Sequence, residues 1–164
     1  MSDPTWDFEG FGAIRVQVHF TAHTPESLRA VLDRQTAAFT SDDFDPRQRY
    51  FLVIDARSLE RASADVRRMQ AEWLNEHREF FQKTCLGMAF VMRSRLARGA
   101  LTAIFWMTDN PVPYTVHATL QDALDEAARA CRSARVDFPA EVETRGAEIV
   151  EAAIVEYQRG RSSA

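Results

Sequence analysis

Two stretches of this chain carry residues whose types and spacing suit chemistry. The first is Arg93-Ser94-Arg95-Leu96-Ala97-Arg98, three guanidiniums and a hydroxyl at the expected start of a helix. Helix N-terminal amides together with arginine hold anions well, so Arg93, Ser94, Arg95 and Arg98 form a candidate anion-binding group. The alternative for this stretch is a solvated turn whose arginines pair with nearby acids. The second is Asp55, which closes the apolar run Tyr50-Phe51-Leu52-Val53-Ile54 and is followed by Ser58. A carboxylate at the carboxyl end of a strand stands on the edge where open α/β sheets keep their functional groups. It has no evident base, nucleophile or metal partner, so catalysis is not the expected role and the chain reads as a non-enzyme.

Other chemistries lack their signatures. There is no Gly-x-Gly-x-x-Gly and no Gly-x-x-x-x-Gly-Lys-Ser/Thr, the two common phosphate cradles. No Gly-x-Ser-x-Gly elbow or His-Glu-x-x-His zinc motif occurs. His19, His23, His77 and His117 are scattered over different elements, so no metal or other cofactor is expected. His19 and His23 flank a strand end and read as two surface histidines sooner than as a metal pair. Cys85 and Cys131 are far apart in sequence and read as free thiols of a reducing compartment.

These residues need a scaffold. A chain of 164 residues fits one domain with a core of its own. The formal net charge of −4 argues against a general nucleic-acid binder, which needs a basic face. No apolar run approaches the roughly 20 residues of a membrane span, and the first residues show no leader pattern, so the expected location is the cytoplasm.

Tyr50–Asp55 is continuous rather than alternating in its apolar character, as is Gly87–Met92. Short runs of that kind predict strands covered on both faces, the interior parallel strands of an α/β sheet. Ile14, Val16, Val18 and Phe20 alternate with Arg15, Gln17 and His19, which predicts a half-buried strand paired as a hairpin with Thr5–Glu9 through a turn at Gly10-Phe11-Gly12. Thr24-Pro25 starts a helix whose apolar stripe, Leu28, Val31, Leu32 and Phe39, is out of character only at Gln35. That helix ends in the loop Ser41-Asp42-Asp43-Phe44-Asp45-Pro46.

Ser63 caps the next helix, with Asp65 in its first turn and one stripe through Val66, Met69, Trp73, His77 and Phe80. A further helix, marked by Leu96, Ala97, Ala100, Leu101, Ile104 and Phe105, ends before Asp109-Asn110-Pro111, and Tyr114–His117 is a short strand. Thr119 and Asp122 resemble a capping box ahead of an alanine-rich helix. A last amphipathic segment through Val142, Ile149, Val150, Ile154 and Tyr157 is interrupted by Gly146. The expected fold is a single α/β domain. It has a mixed, mostly parallel sheet, an N-terminal antiparallel hairpin, covering helices, and an extra C-terminal helix that buries its apolar face on its own domain or across a homodimer.

From Val53-Ile54-Asp55 to Val66, and in the order of elements around them, the chain resembles STAS domains of the SpoIIAA type, the anti-sigma-factor antagonists. It is more similar still to a loose group of bacterial SpoIIAA-like single-domain proteins. The features that carry the likeness are Trp73 on the capped helix, the strand Gly87–Met92, the segment Phe105-Trp106-Met107, Pro113-Tyr114, and Asp122-Ala123-Leu124. The likeness spans residues 5–135 and leaves 139–160 as a helical extension. It implies a regulatory, signalling module that binds a protein partner, such as a kinase, through Asp55, Ser58, Ser63 and Asp65. The antagonists carry Asp-Ser-Ser/Thr-Gly where this chain has Ser63-Ala64-Asp65-Val66. The phosphorylated hydroxyl is thus replaced by Asp65, and the expected binder is constitutive. The second reading is a small anionic-ligand domain using Asp55 and the arginines.

Overall fold

The computed structural model describes residues 4–42, 44–45, 47–109 and 112–162. Asp43 and Pro46 of the first expected loop, and Asn110 and Pro111 of the second, lie outside the described residues.

The alternating segment becomes β2 (Ile14–His19), paired antiparallel with β1 (Thr5–Phe11). β1 runs two residues further than its alternation predicted. The turn falls at Gly12, whose φ of +60° is the left-handed conformation that glycine adopts without a Cβ clash. The two continuous apolar runs are β3 (Tyr50–Asp55) and β4 (Cys85–Val91), and the last strand is β5 (Tyr114–His117). The sheet order is β1-β2-β3-β4-β5, parallel from β2 onward. β3 and β4 are interior, as their lack of a polar face requires.

Parallel neighbours in chain order place their crossovers on one side of the sheet. α1 (Pro25–Phe39), α2 (Ala64–Glu76), α3 (Arg78–Thr84) and α4 (Arg95–Trp106) form that layer, over Tyr50, Met88 and Phe90. α5 (Leu120–Ser133) and α6 (Glu141–Ser162) cover the other face, over Ile14, Val16, Val53 and Val91. Ala123, Ala127 and Ala128 are fully buried and bring α5 close against the sheet.

Two elements differ from expectation. The stripe through His77 is not one helix: the chain breaks there between α2 and α3. His77 Nδ1–H donates to the Trp73 carbonyl at 3.0 Å, Trp73 Nε1–H donates to Thr36 Oγ1 at 3.0 Å, and that hydroxyl lies 3.4 Å from His77 Nε2. Conversely, α6 passes through Gly146 without interruption. A Cβ there would stand 2.9 Å from Leu124 Cδ1, so the glycine serves close packing of α6 on α5. Val142, Val150 and Ile154 are buried in the same core as α5, so α6 packs on its own chain.

Candidate functional site

The carboxyl ends of β2 and β3 and the turns after them form a polar cleft lined by His19, Asp55, Arg57, Ser58, Arg93 and Glu151. Asp55 is only 3% exposed. Its Oδ1 accepts from Arg57 Nε at 2.8 Å and from the Arg57 backbone N–H at 3.2 Å, and its Oδ2 accepts from Arg57 Nη2 at 2.6 Å. The same Nη2 reaches Glu151 of α6 at 2.6 Å. The two carboxylates hold the Arg57 guanidinium even more firmly protonated than usual, Asp55 contributing first. Asp55 is therefore one member of a charge-locked bridge between the central strand and the last helix.

The structure brings Asp55, Ser58 and Arg93 together and leaves the other expected residues apart from them. Ser94 caps α4, accepting from the Ala97 N–H at 3.3 Å and donating to the Glu60 carbonyl at 3.0 Å. Arg98 donates to the Met92 carbonyl at 2.9 Å, and Arg95 is exposed. Ser63 caps α2 through the Val66 N–H, and Asp65 is exposed and pairs with Arg68 at 2.9 Å. The Ser94–Glu60 bond draws the starts of α2 and α4 to one edge of the sheet.

A second concave region lies inside the fold. The helical layer of α1, α2 and α4 leaves a cavity of about 270 Å³ over the sheet. Its lining is apolar from β3, β4 and the helices, including Leu32, Leu52, Trp73, Phe90 and Leu101. β2 supplies one polar wall, Arg15, Gln17 and His19, and Asp7, Glu9 and Arg34 stand at the rim.

Along the polar wall the hydrogen bonds run in one direction. Gln17 Nε2–H donates to Asp7 at 3.1 Å, which turns Gln17 Oε1 toward His19 Nε2–H at 3.2 Å. His19 Nδ1 then accepts from His23 Nε2–H at 2.8 Å. Burial, then the neighbouring His23, lower the His19 pKa to about 3 against the opposing pull of Asp55, so the ring is neutral and acts as a relay of orientation rather than a charge. Among the described residues no cluster of three or more His, Cys, Asp or Glu is placed to hold a metal ion. Burial pushes the Cys85 thiol up to about 12 and the Cys131 thiol up to about 11, which keeps both protonated at neutral pH.

No protein-family model matches the chain, and no curated protein matches it. Among solved structures it is similar to an uncharacterized protein of the DUF3478 family with a SpoIIAA-like fold, from Shewanella loihica PV-4. The identity is 16% and the TM-score 0.52, with 77% of this chain and 98% of that chain covered. The fold is SpoIIAA-like. At that identity the likeness establishes architecture and leaves activity to be argued from the residues.

On the outside of this SpoIIAA-like domain, α4 carries the most exposed large apolar side chains. Trp106 is 85% exposed, Leu96 71% and Met107 45%. With Gly99 and Ala103 between them they lie along one side of the helix, about 16 Å from end to end at 1.5 Å per residue. Large residues stand at both ends and small ones in the middle, beside Arg95 and Thr102. Neither this face nor the cavity was read from the sequence. The available signals were Gln35 within the apolar stripe of α1 and Trp106 outside the stripe of α4. No helix among the described residues is long and apolar enough to cross a membrane.

Proposed function

We propose that this SpoIIAA-like domain is a non-enzymatic, cytoplasmic regulatory module that docks a protein partner on the outer face of α4 and the adjoining first turn of α2. The exposure of Trp106 together with Leu96 and Met107 carries this reading. Contiguous exposed apolar side chains with a polar rim mark protein-docking surfaces, and tryptophan, methionine and arginine are the residues such surfaces favour. Ser94 ties the start of α4 to Glu60 in the loop before α2, which supports counting Ser63 and Asp65 in that surface. Asp55, buried under Arg57, supports the edge from below rather than touching the partner.

The sequence set two forms for a binding role, a concave arginine-lined pocket or a flat or convex apolar patch. Arg93 alone of the three arginines lines the strand-end cleft, and it shares that cleft with two carboxylates. The geometry favours the patch. The test is affinity capture with the wild type and with a Leu96→Ser/Trp106→Ser variant, followed by calorimetry with the purified partner. The reading expects affinity to fall at least about tenfold, the equivalent of ~1.4 kcal/mol. Equal affinity for the two proteins refutes it.

A further inference from the structure

We propose that the cavity between the sheet and helices α1, α2 and α4 binds an amphipathic anion, an aromatic carboxylate or sulfonate, with its charged group at Arg15 and its apolar body against Tyr50, Leu52, Trp73 and Phe90. This site is independent of the outer face of α4.

The cavity supplies the apolar part. Native interiors hold few voids larger than a water molecule, and an apolar cavity of about 150 Å³ already takes up benzene. This one measures about 270 Å³, room for a body larger than a single ring. Its lining is apolar on three sides, from β3, β4 and the helical layer. That is the composition of a small-molecule site, in which a few polar groups set orientation.

Arg15 supplies the polar part. It is half-buried on the cavity face of β2, with its guanidinium 5.0 Å from the centre of the Tyr50 ring. Among the described residues no carboxylate stands within ion-pair distance of it, which separates it from Arg57, Arg68 and Arg78. A guanidinium packed on an aromatic face keeps its in-plane N–H donors directed outward, the geometry that receives a carboxylate or sulfonate by paired hydrogen bonds. Gln17 and His19 beside it are committed to Asp7 and His23, so they shape the wall without competing for the ligand's charge. Three arginines against two acids line the cavity, Arg15, Arg34 and Arg61 against Asp7 and Glu9, which favours an anion over a cation.

The probes are 1-anilinonaphthalene-8-sulfonate and its uncharged counterpart N-phenyl-1-naphthylamine, titrated into the wild type, Arg15→Gln and Ala100→Phe. Ala100 lines the cavity from α4, and a phenyl ring there takes up part of it. One sulfonate probe binds per wild-type chain, Arg15→Gln weakens it at least about tenfold while the uncharged probe changes less than about twofold, and Ala100→Phe weakens both at least about tenfold. Equal affinity of the two probes in the wild type, or equal loss of both in Arg15→Gln, overturns the anion assignment. Unchanged affinity of both probes in Ala100→Phe overturns the site. Methyl NMR of the wild type gives the location without any variant. The sulfonate shifts Leu32, Leu101 and Ile104 inside the cavity; shifts confined to Leu96 and Met107 on the outer face of α4 overturn the proposal.

Discussion

Arg57 Nη2 lies 2.6 Å from Glu151 Oε1, so the last helix is held by charge to the carboxyl end of the central strand. The same nitrogen is 2.6 Å from Asp55, a buried carboxylate. The two contacts differ in worth. Asp55 is shielded from water, whereas the Glu151 side chain is 47% exposed and its pairing is screened. Arg57→Ala strips the buried Asp55 of its ion-pair partner and leaves it only the backbone N–H of residue 57, so the change is expected to cost on the order of 3 kcal/mol. Glu151→Gln is expected to cost less than about 1 kcal/mol. Urea unfolding of both variants checks the ranking, and equal losses contradict it.

The helix that Glu151 belongs to is part of the core. Val142 and Val150 are fully buried and Ile154 is 9% exposed. Tyr157 stacks between Trp6 of β1 and Phe20, with ring centres at 5.2 and 5.7 Å. Burial of the three aliphatic side chains alone contributes roughly 1.5–3 kcal/mol each, a sum close to the stability of a whole domain. A chain ending after Pro139 is therefore expected to lose its cooperative thermal transition or to aggregate. Circular dichroism and light scattering read the outcome, and an unchanged melting temperature in a monomeric truncation refutes it.

The interior strands were legible because their physics is local. A short run without a polar face has to be covered twice, and Tyr50–Asp55 and Cys85–Val91 are. The helix caps at Thr24, Ser63 and Thr119 were legible for the same reason, since each hydroxyl serves an amide three residues on. The cavity was not. Alternation in β2 shows that Arg15, Gln17 and His19 share a face; it does not show that helices stand over that face at a distance. The break at His77 was hidden as well, because it rests on Thr36, which lies 41 positions away in the chain. Arg57 went unread beside Asp55 since its second partner, Glu151, comes from the far end of the sequence.

Ser63 is exposed, yet its hydroxyl accepts from the Val66 N–H at 3.3 Å. Ser63→Ala is expected to cost about 1 kcal/mol and Ser63→Gly only a few tenths, the usual order at an N-cap. Asp65 lies in the same first turn and already carries a charge that favours the helix. If binding is constitutive, Asp65→Asn and Ser63→Ala both retain the partner captured by the wild type. Loss of that partner in Ser63→Glu, with high phosphate occupancy at Ser63 in the native protein, contradicts constitutive binding.

The clearest dependence on pH is expected from His19. In the unfolded chain a histidine takes up a proton near pH 6.5; in the fold His19 resists doing so until about pH 3. The resistance has a structural basis, because Nε2–H already serves Gln17 and Nδ1 accepts from His23, so an added proton would set two donors against each other. Below about pH 6.5 the unfolded state binds the extra proton and the folded state does not, so the contribution of this group to stability falls as pH falls. It is fully present above pH 6.5 and declines by at most about 1.4 kcal/mol per pH unit below it. His23 and Asp55, the charges that act on His19, modify the slope without reversing it. Urea unfolding of the wild type and His19→Gln at about pH 7 and about pH 5 isolates the term: the wild type is expected to lose more stability on acidification than the variant. Imidazole NMR gives the direct measurement, with the His19 ring signals staying flat from about pH 7.5 to about pH 4.5. A His19 titration midpoint near 6.5 in the folded protein would break both the hydrogen-bond direction along the cavity wall and the prediction drawn from it.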